Sequence, residues 1–224
     1  MKKIGLLLVV FVFGFSFKIK LKPFEGTIKY SIDYHSEYGL VKYPQELIAY
    51  IKGDVIRIDV ILPFAEISHI INCKKRTSLK FCTVDGAKYC VKSDLKKASV
   101  FEKALIAKDS IETIKNLSCS FGRVYMANSR SVVFFTTKYL ISKNITDCGT
   151  ELPYQLFFPH KEFETKLIMK RDAYDEDGET TYFVESITEL PIKDADINPS
   201  FTEYKEVTEE VLGKIISDYF KSAR

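Results

Sequence analysis

The sequence predicts a mainly β chain (α+β): one large antiparallel sheet, curved into an open half-barrel and packed on helices. Three observations carry this. Aromatic residues abound, with 17 Phe and 13 Tyr, and together with β-branched residues they suit a pleated, half-buried surface. Apolar positions recur with period two along several stretches, as in a sheet with one wet face. Two-residue turn signals separate those stretches, so neighbouring strands connect without helical crossovers and run antiparallel.

The elements follow in order. Residues 24–34 form the clearest strand: Ile28, Tyr30, Ile32 and Tyr34 point one way, and Thr27, Lys29, Ser31 and Asp33 the other. Residues 46–62 read as a hairpin about Gly53-Asp54, with Ile56, Ile58 and Val60 alternating against Val55, Arg57 and Asp59. A second hairpin joins 67–73 to 78–84 through the basic tip Lys74-Lys75-Arg76, and Asp85-Gly86 turns the chain into 88–91. Over 93–107 the period changes. Leu95, Ala98, Phe101 and Leu105 recur at helical spacing behind a Ser93 cap, which predicts a helix. Strand patterns resume at 111–125 and 131–138, 144–150 is a polar loop, and strands follow at 154–158, 163–174 and 180–190. A C-terminal helix starts behind Thr208. Glu209 and Glu210 suit its dipole, and Val211, Leu212, Ile215, Ile216 and Tyr219 form its apolar stripe.

A sheet of about ten such strands curls, and helices inside the curve complete its core. A closed up-and-down barrel and a β-sandwich are the competing arrangements. Apolar residues make up 46% of the 224, enough for a sizeable core, and no linker or repeat divides the chain.

Lys2 and Lys3 precede an apolar run over 4–17 that is too short to cross a bilayer and suits a secretory signal. Residues 1–16 are the expected signal peptide and 17–224 a single domain, exported to the periplasm or secreted, with no transmembrane segment in the mature chain. Losing the two lysines takes the formal charge from +3 to about +1, which gives nucleic acid no concentrated basic face to bind. Lys18, Lys20 and Lys22 slightly oppose translocation.

An exported chain can hold disulfides. The five cysteines are Cys73, Cys82, Cys90, Cys119 and Cys148, an odd count that leaves at least one thiol unpaired or paired between chains. The local candidate is Cys82 with Cys90. A three-residue turn around Asp85-Gly86 would set them opposite each other; a two-residue turn would put them one step out of register, on opposite faces. All five also read as small buried hydrophobes.

Catalytic and metal signatures are missing. His160-Lys161-Glu162-Phe163-Glu164 lacks the second histidine of a zinc motif, and there is no nucleophile elbow or phosphate loop. Asp175, Asp177 and Gly178 imitate a calcium loop, but Ala173 and Val184 occupy its outer ligand positions. No cofactor is expected, and a non-enzymatic role is preferred.

The positive feature is the apolar face itself. Ile28, Tyr30, Ile32, Tyr34, Ile56, Ile58, Val60, Phe134, Leu167 and Met169 are the candidate ligand-binding residues of a concave pocket for a lipid, acyl chain or other hydrophobic small molecule. The plainer reading of the same residues is core packing against the two helices, giving a structural or interaction protein of the cell envelope.

The order of features resembles exported Bacteroidota families with a fold like that of the lipoprotein-localisation proteins LolA and LolB. The residues that carry it are 24–30 (FEGTIKY), 51–57 (IKGDVIR) and 85–89 (DGAKY), then the run 111–119 ending in Cys119, residues 132–139, and Tyr204-Lys205-Glu206. The chain departs from the pattern in having no Trp and in continuing past Tyr204 into a helix. The resemblance implies an open half-barrel with an apolar concavity and, by analogy of fold alone, lipid or lipoprotein handling.

Overall fold

The computed structural model describes residues 23–35, 46–62, 65–95, 103–126, 129–148, 156–157, 163–175 and 178–222. The signal peptide expected over residues 1–16 lies outside them. The strands are β1 (Gly26–His35), β2 (Glu46–Lys52), β3 (Val55–Leu62), β4 (Ala65–Asn72), β5 (Thr77–Val84), β6 (Ala87–Asp94), β7 (Lys103–Ile114), β8 (Leu117–Met126), β9 (Ser129–Leu140), β10 (Lys166–Asp175), β11 (Gly178–Thr188) and β12 (Lys205–Glu206). Among the described residues three helices accompany them: α1 (Lys143–Asp147), α2 (Asp194–Ile197) and α3 (Glu209–Ser222).

All twelve strands form one sheet in the order β12-β6-β5-β4-β3-β2-β1-β11-β10-β9-β8-β7. Every pairing is antiparallel except the short β12 on β6. The two ends of that order do not meet, so the sheet is open. The fold class is therefore as the sequence predicts: mainly β, one large curved antiparallel sheet, few helices.

Local chemistry explains the hairpins. Gly53-Asp54 and Asp85-Gly86 make tight two-residue turns, and Asp85 and Gly86 both take positive φ (48° and 75°), as the turn matching strand twist requires. Lys115 and Asn116 do the same at 49° and 62°, so the stretch read as one strand over 111–125 is instead the β7–β8 hairpin. The helix expected over 93–107 is not formed at the described positions: Ser93 and Asp94 end β6, and Lys103 to Ala107 open β7; residues 96–102 lie outside the described ones. The polar loop at 144–150 contains the single-turn α1 instead, and Leu156 and Phe157 are buried but not in a strand.

Curvature is concentrated at one seam. β10 and β11 pair only from Lys170–Phe183 to Asp175–Gly178. Beyond that point, 166–168 pair with β9 alone, and Val184 and 186–188 with β1 alone, Met169 and Glu185 standing at bulges. The two halves of the sheet diverge there, and Phe24 N donates to the Leu140 carbonyl at 2.7 Å. Strands β1 and β9 stand three places apart in the sheet order, roughly 14 Å if the sheet were flat, so that hydrogen bond requires it to fold over. Tyr30 bridges the gap: its hydroxyl donates to the Ile168 carbonyl at 3.4 Å.

The main core lies on the concave face. Ile28, Tyr30, Leu47, Ile51, Ile56 and Ile58 join Ile141, Ile145, Cys148, Leu156 and Phe157 in one buried cluster. The described part of the connection from β9 to β10 therefore fills the concavity. A disulfide between Cys73 and Cys148 fastens it to the β4–β5 turn.

The expected Cys82–Cys90 disulfide is corrected: both are buried thiols, as is Cys119. The turn after Val84 has two residues, so Cys82 faces Tyr89 across the ladder and Cys90 faces Phe81. That one-step offset sends the two sulfurs to opposite faces of the sheet. Cys82 packs under Leu212 of α3, and Cys90 packs with Ile70 and Phe81 on the other side.

The C-terminal segment wraps the β6 edge. Residues 192–204 cross the face opposite the core, where Phe81 meets the rings of Phe201 and Tyr204 at 5.7 and 4.9 Å. β12 then pairs with β6, and α3 returns along the core side, its start capped by Thr208, whose hydroxyl accepts from Val211 N at 3.3 Å. Leu212 is fully buried there, whereas Val211 from the expected stripe stays 45% exposed.

Candidate functional site

The structure brings the candidate concave-face residues together. Ile28, Tyr30, Ile32, Ile56, Ile58, Val60, Leu167 and Met169 are buried members of the main cluster, and Tyr34 and Phe134 pack at its margin. Their neighbours include the chain's own Ile145, Cys148 and Phe157. Burial pushes the Tyr30 phenol above its ordinary range, so it remains a neutral donor.

A large cleft lies elsewhere. It occupies about 960 Å³ between the face away from the core, the β4–β5 turn and the crossing segment around α2. Val55, Ile70, Leu79, Ile197 and Phe201 give it apolar walls, and Lys52, Lys75 and Lys92 stand at its rim with Asp94 and Asp194. That volume is at the upper end of small-molecule sites, and apolar walls with a few polar groups are their usual make-up. None of the concave-face candidates lines it.

The segment forming the cleft's outer wall is fixed by long-range polar contacts. Lys52 Nζ donates to the Ile192 carbonyl at 2.6 Å and to Asp194 Oδ1 at 2.8 Å. Arg57 donates to the Asp196 carbonyl at 2.5 Å while its fork clasps Asp59 at 2.7 and 2.8 Å. Lys92 pairs with Glu206 at 2.6 Å. Each pairing raises its lysine's pKa, chiefly through the hydrogen bond to the carboxylate. Lys75, at the exposed hairpin tip, has no carboxylate partner among the described residues and is the rim's unneutralised cation.

On the core side, His69 Nε2 lies 2.5 Å from Ser78 Oγ, a spacing that would suit a nucleophile and its base. Ser78 is only 8% exposed, and burial, with Lys80 beside it, lowers His69 to about 4. A neutral imidazole satisfied by a buried hydroxyl is the simpler description. Further along the same face, buried Arg171 donates Nε to Ser131 Oγ at 3.1 Å and lies over the Tyr182 ring at 5.2 Å. Among the described residues, no group of three His, Cys, Asp or Glu side chains is assembled for a metal ion. Among them, no helix is long and apolar enough to cross a membrane.

The sequence contained one sign of the cleft, the basic tip at 74–76. Its apolar walls come from both strands and the distant 197–201 segment, which no local pattern links.

No family model matches the chain, and no curated protein matches it. Solved structures do. PNGF-II in its P21 crystal form aligns with a TM-score of 0.54 at 11% identity, over 88% of this chain and 34% of that one. PNGF-II in its C2 form aligns with a TM-score of 0.50 at 11% identity, over 86% and 32%. The chain thus spans about a third of the PNGF-II chains it resembles. At that identity the likeness establishes shared fold alone: the open sheet described above recurs as part of a longer protein.

Proposed function

We propose that the protein is an exported binding protein of the cell envelope, made with a signal peptide over residues 1–16, that carries a hydrophobic ligand with an anionic group. The observation that carries this reading is the cleft of about 960 Å³, apolar inside, with Lys52, Lys75 and Lys92 at its rim beside Asp94 and Asp194. Its walls suit an acyl chain, and Lys75 suits a carboxylate or phosphate head. The Cys73–Cys148 disulfide supports an oxidising compartment. The likeness of 24–30 and 51–57 to the LolA- and LolB-like families supports the lipid side of the proposal, by analogy of fold.

The ligand site in this reading is the cleft, not the concave face, because the chain's own Ile145, Leu156 and Phe157 pack against that face. That packing favours a second reading: a non-enzymatic structural or interaction protein with a filled core. Organic extraction of protein purified from its native compartment, followed by mass spectrometry, separates the two. Recovery of an acyl-bearing anion in stoichiometric amount, reduced in Lys75→Glu and Leu79→Gln variants, is the expected result. Repeated preparations free of lipid would overturn the carrier and leave the interaction protein.

A further inference from the structure

A second site lies on the other half of the sheet, independent of the cleft. Across β8, β9 and β10, Tyr125 stands opposite Arg130 and Arg130 opposite Tyr174. One step along, Arg123 stands opposite Val132. Residues paired across a ladder share a face, so both arginines and both tyrosines project to the same side, with the guanidinium groups as diagonal neighbours. Together they line a cleft of about 280 Å³.

The charge arrangement there is unlike that of most of the sheet. Lys29, Lys52, Arg57, Lys80, Lys88, Lys92, Lys115 and Lys170 each have a carboxylate within reach. Arg123 and Arg130 have none among the described residues. The carboxylate nearest in register, Asp172, already accepts from Thr181 at 2.9 Å and pairs with Lys170 at 3.0 Å. Arg130 lies over the Tyr174 ring at 5.0 Å, and the Tyr174 hydroxyl is tied to Glu179, so the ring and guanidinium are held in place. Two diagonal like charges repel each other, and an anion between them removes the cost.

We propose that Arg123 and Arg130, walled by Tyr125 and Tyr174, bind an oxyanion group: a carboxylate, sulfate or phosphate. Guanidinium forks match the oxygen geometry of such groups in a way that ammonium groups do not. The small cleft limits what enters to the anion and one ring-sized appendage. The Tyr125 ring gives that appendage a surface to stack on, and its hydroxyl a hydrogen bond, while Tyr174 holds Arg130 in place. The group arrives either as a free inorganic anion or attached to a saccharide.

The test uses the full mature chain at fixed ionic strength, with chloride as the control anion. Thermal midpoint and titration calorimetry are followed against inorganic phosphate, inorganic sulfate and glucuronate. The wild type should show a saturable rise in midpoint with at least one of the three, and the Arg123→Gln/Arg130→Gln variant should bind about tenfold more weakly or worse. Both arginines are exposed, so that variant should match the wild-type midpoint in chloride or, relieved of the repulsion, slightly exceed it. Arg123→Lys/Arg130→Lys keeps the charge but loses the fork, and should fall between the two. Tighter binding of glucuronate assigns the site to saccharide-borne groups; tighter binding of phosphate or sulfate assigns it to free anions. Equal binding by the wild type and the Gln variant, or a linear response to all three probes that chloride reproduces, would overturn the proposal.

Discussion

Acid should weaken this fold through His69. In the folded chain the imidazole sits between the core and α3, hydrogen-bonded to Ser78 and close to Lys80, whose own partner is Glu209. Burial first, and Lys80 second, lower it from 6.5 to about 4, while Glu209 pulls weakly the other way. Between those values the unfolded chain binds a proton that the folded chain does not, so stability rises with pH through that window. At pH 7 both states are neutral at His69 and nothing is lost. As pH falls from 6.5 to 4 the penalty accumulates, reaching about 3 kcal/mol at roughly 1.4 kcal/mol per pKa unit. Asp194 and Glu203, held below the usual carboxylate range by Lys52 and Lys88, also weaken the fold in acid. The informative quantity is therefore the difference from His69→Gln. Urea midpoints measured from pH 7 to pH 4 should converge between wild type and variant as pH falls, while proton NMR should place the His69 titration well below the ordinary 6.5. A His69 titration near pH 6.5, or identical pH profiles for the two proteins, would refute the argument.

Replacing both Cys73 and Cys148 by Ser should cost about 4 kcal/mol in urea unfolding, the chain-entropy value for a 75-residue separation, with reducing agent giving the same loss in wild type and none in the variant. Gly26→Ala should destabilise by about 3 kcal/mol or prevent folding, because a Cβ there would lie 2.1 Å from the Thr188 carbonyl, a backbone atom in a paired strand; the yield of soluble protein and its midpoint report this. Tyr30→Phe leaves the Ile168 carbonyl buried without its donor and should cost about 1–2 kcal/mol, with faster amide exchange confined to residues 166–169 and 184–188.

The sequence revealed most where a side chain's local neighbours decide its place. The alternation of Ile28, Tyr30 and Ile32 fixes β1, and Gly53-Asp54 and Asp85-Gly86 fix two hairpins, because period and turn chemistry are local. Lys115-Asn116 escaped notice: positive φ at Lys115 is uncommon for such a residue, and the alternation on either side runs on without interruption. The helical spacing from Leu95 to Leu105 misled because Leu105 belongs to β7, whose partner β8 supplies the order that the spacing did not. The cleft was illegible for a different reason. Lys52 meets Asp194 and Arg57 meets Asp196 across about 140 residues, and only the assembled sheet brings them together.

The β10–β11 seam divides the molecule mechanically. Two plates, one from β12 to β11 and the other from β10 to β7, meet at a ladder of six residue pairs and are tied across it by the Tyr30 hydroxyl, the Phe24–Leu140 hydrogen bond, the Cys73–Cys148 disulfide and the shared core. The lysine-rimmed cleft belongs wholly to the first plate and the paired arginines to the second. A change of angle at the seam would swing the two clefts relative to each other while leaving each one's walls intact, and those ties are what resist it.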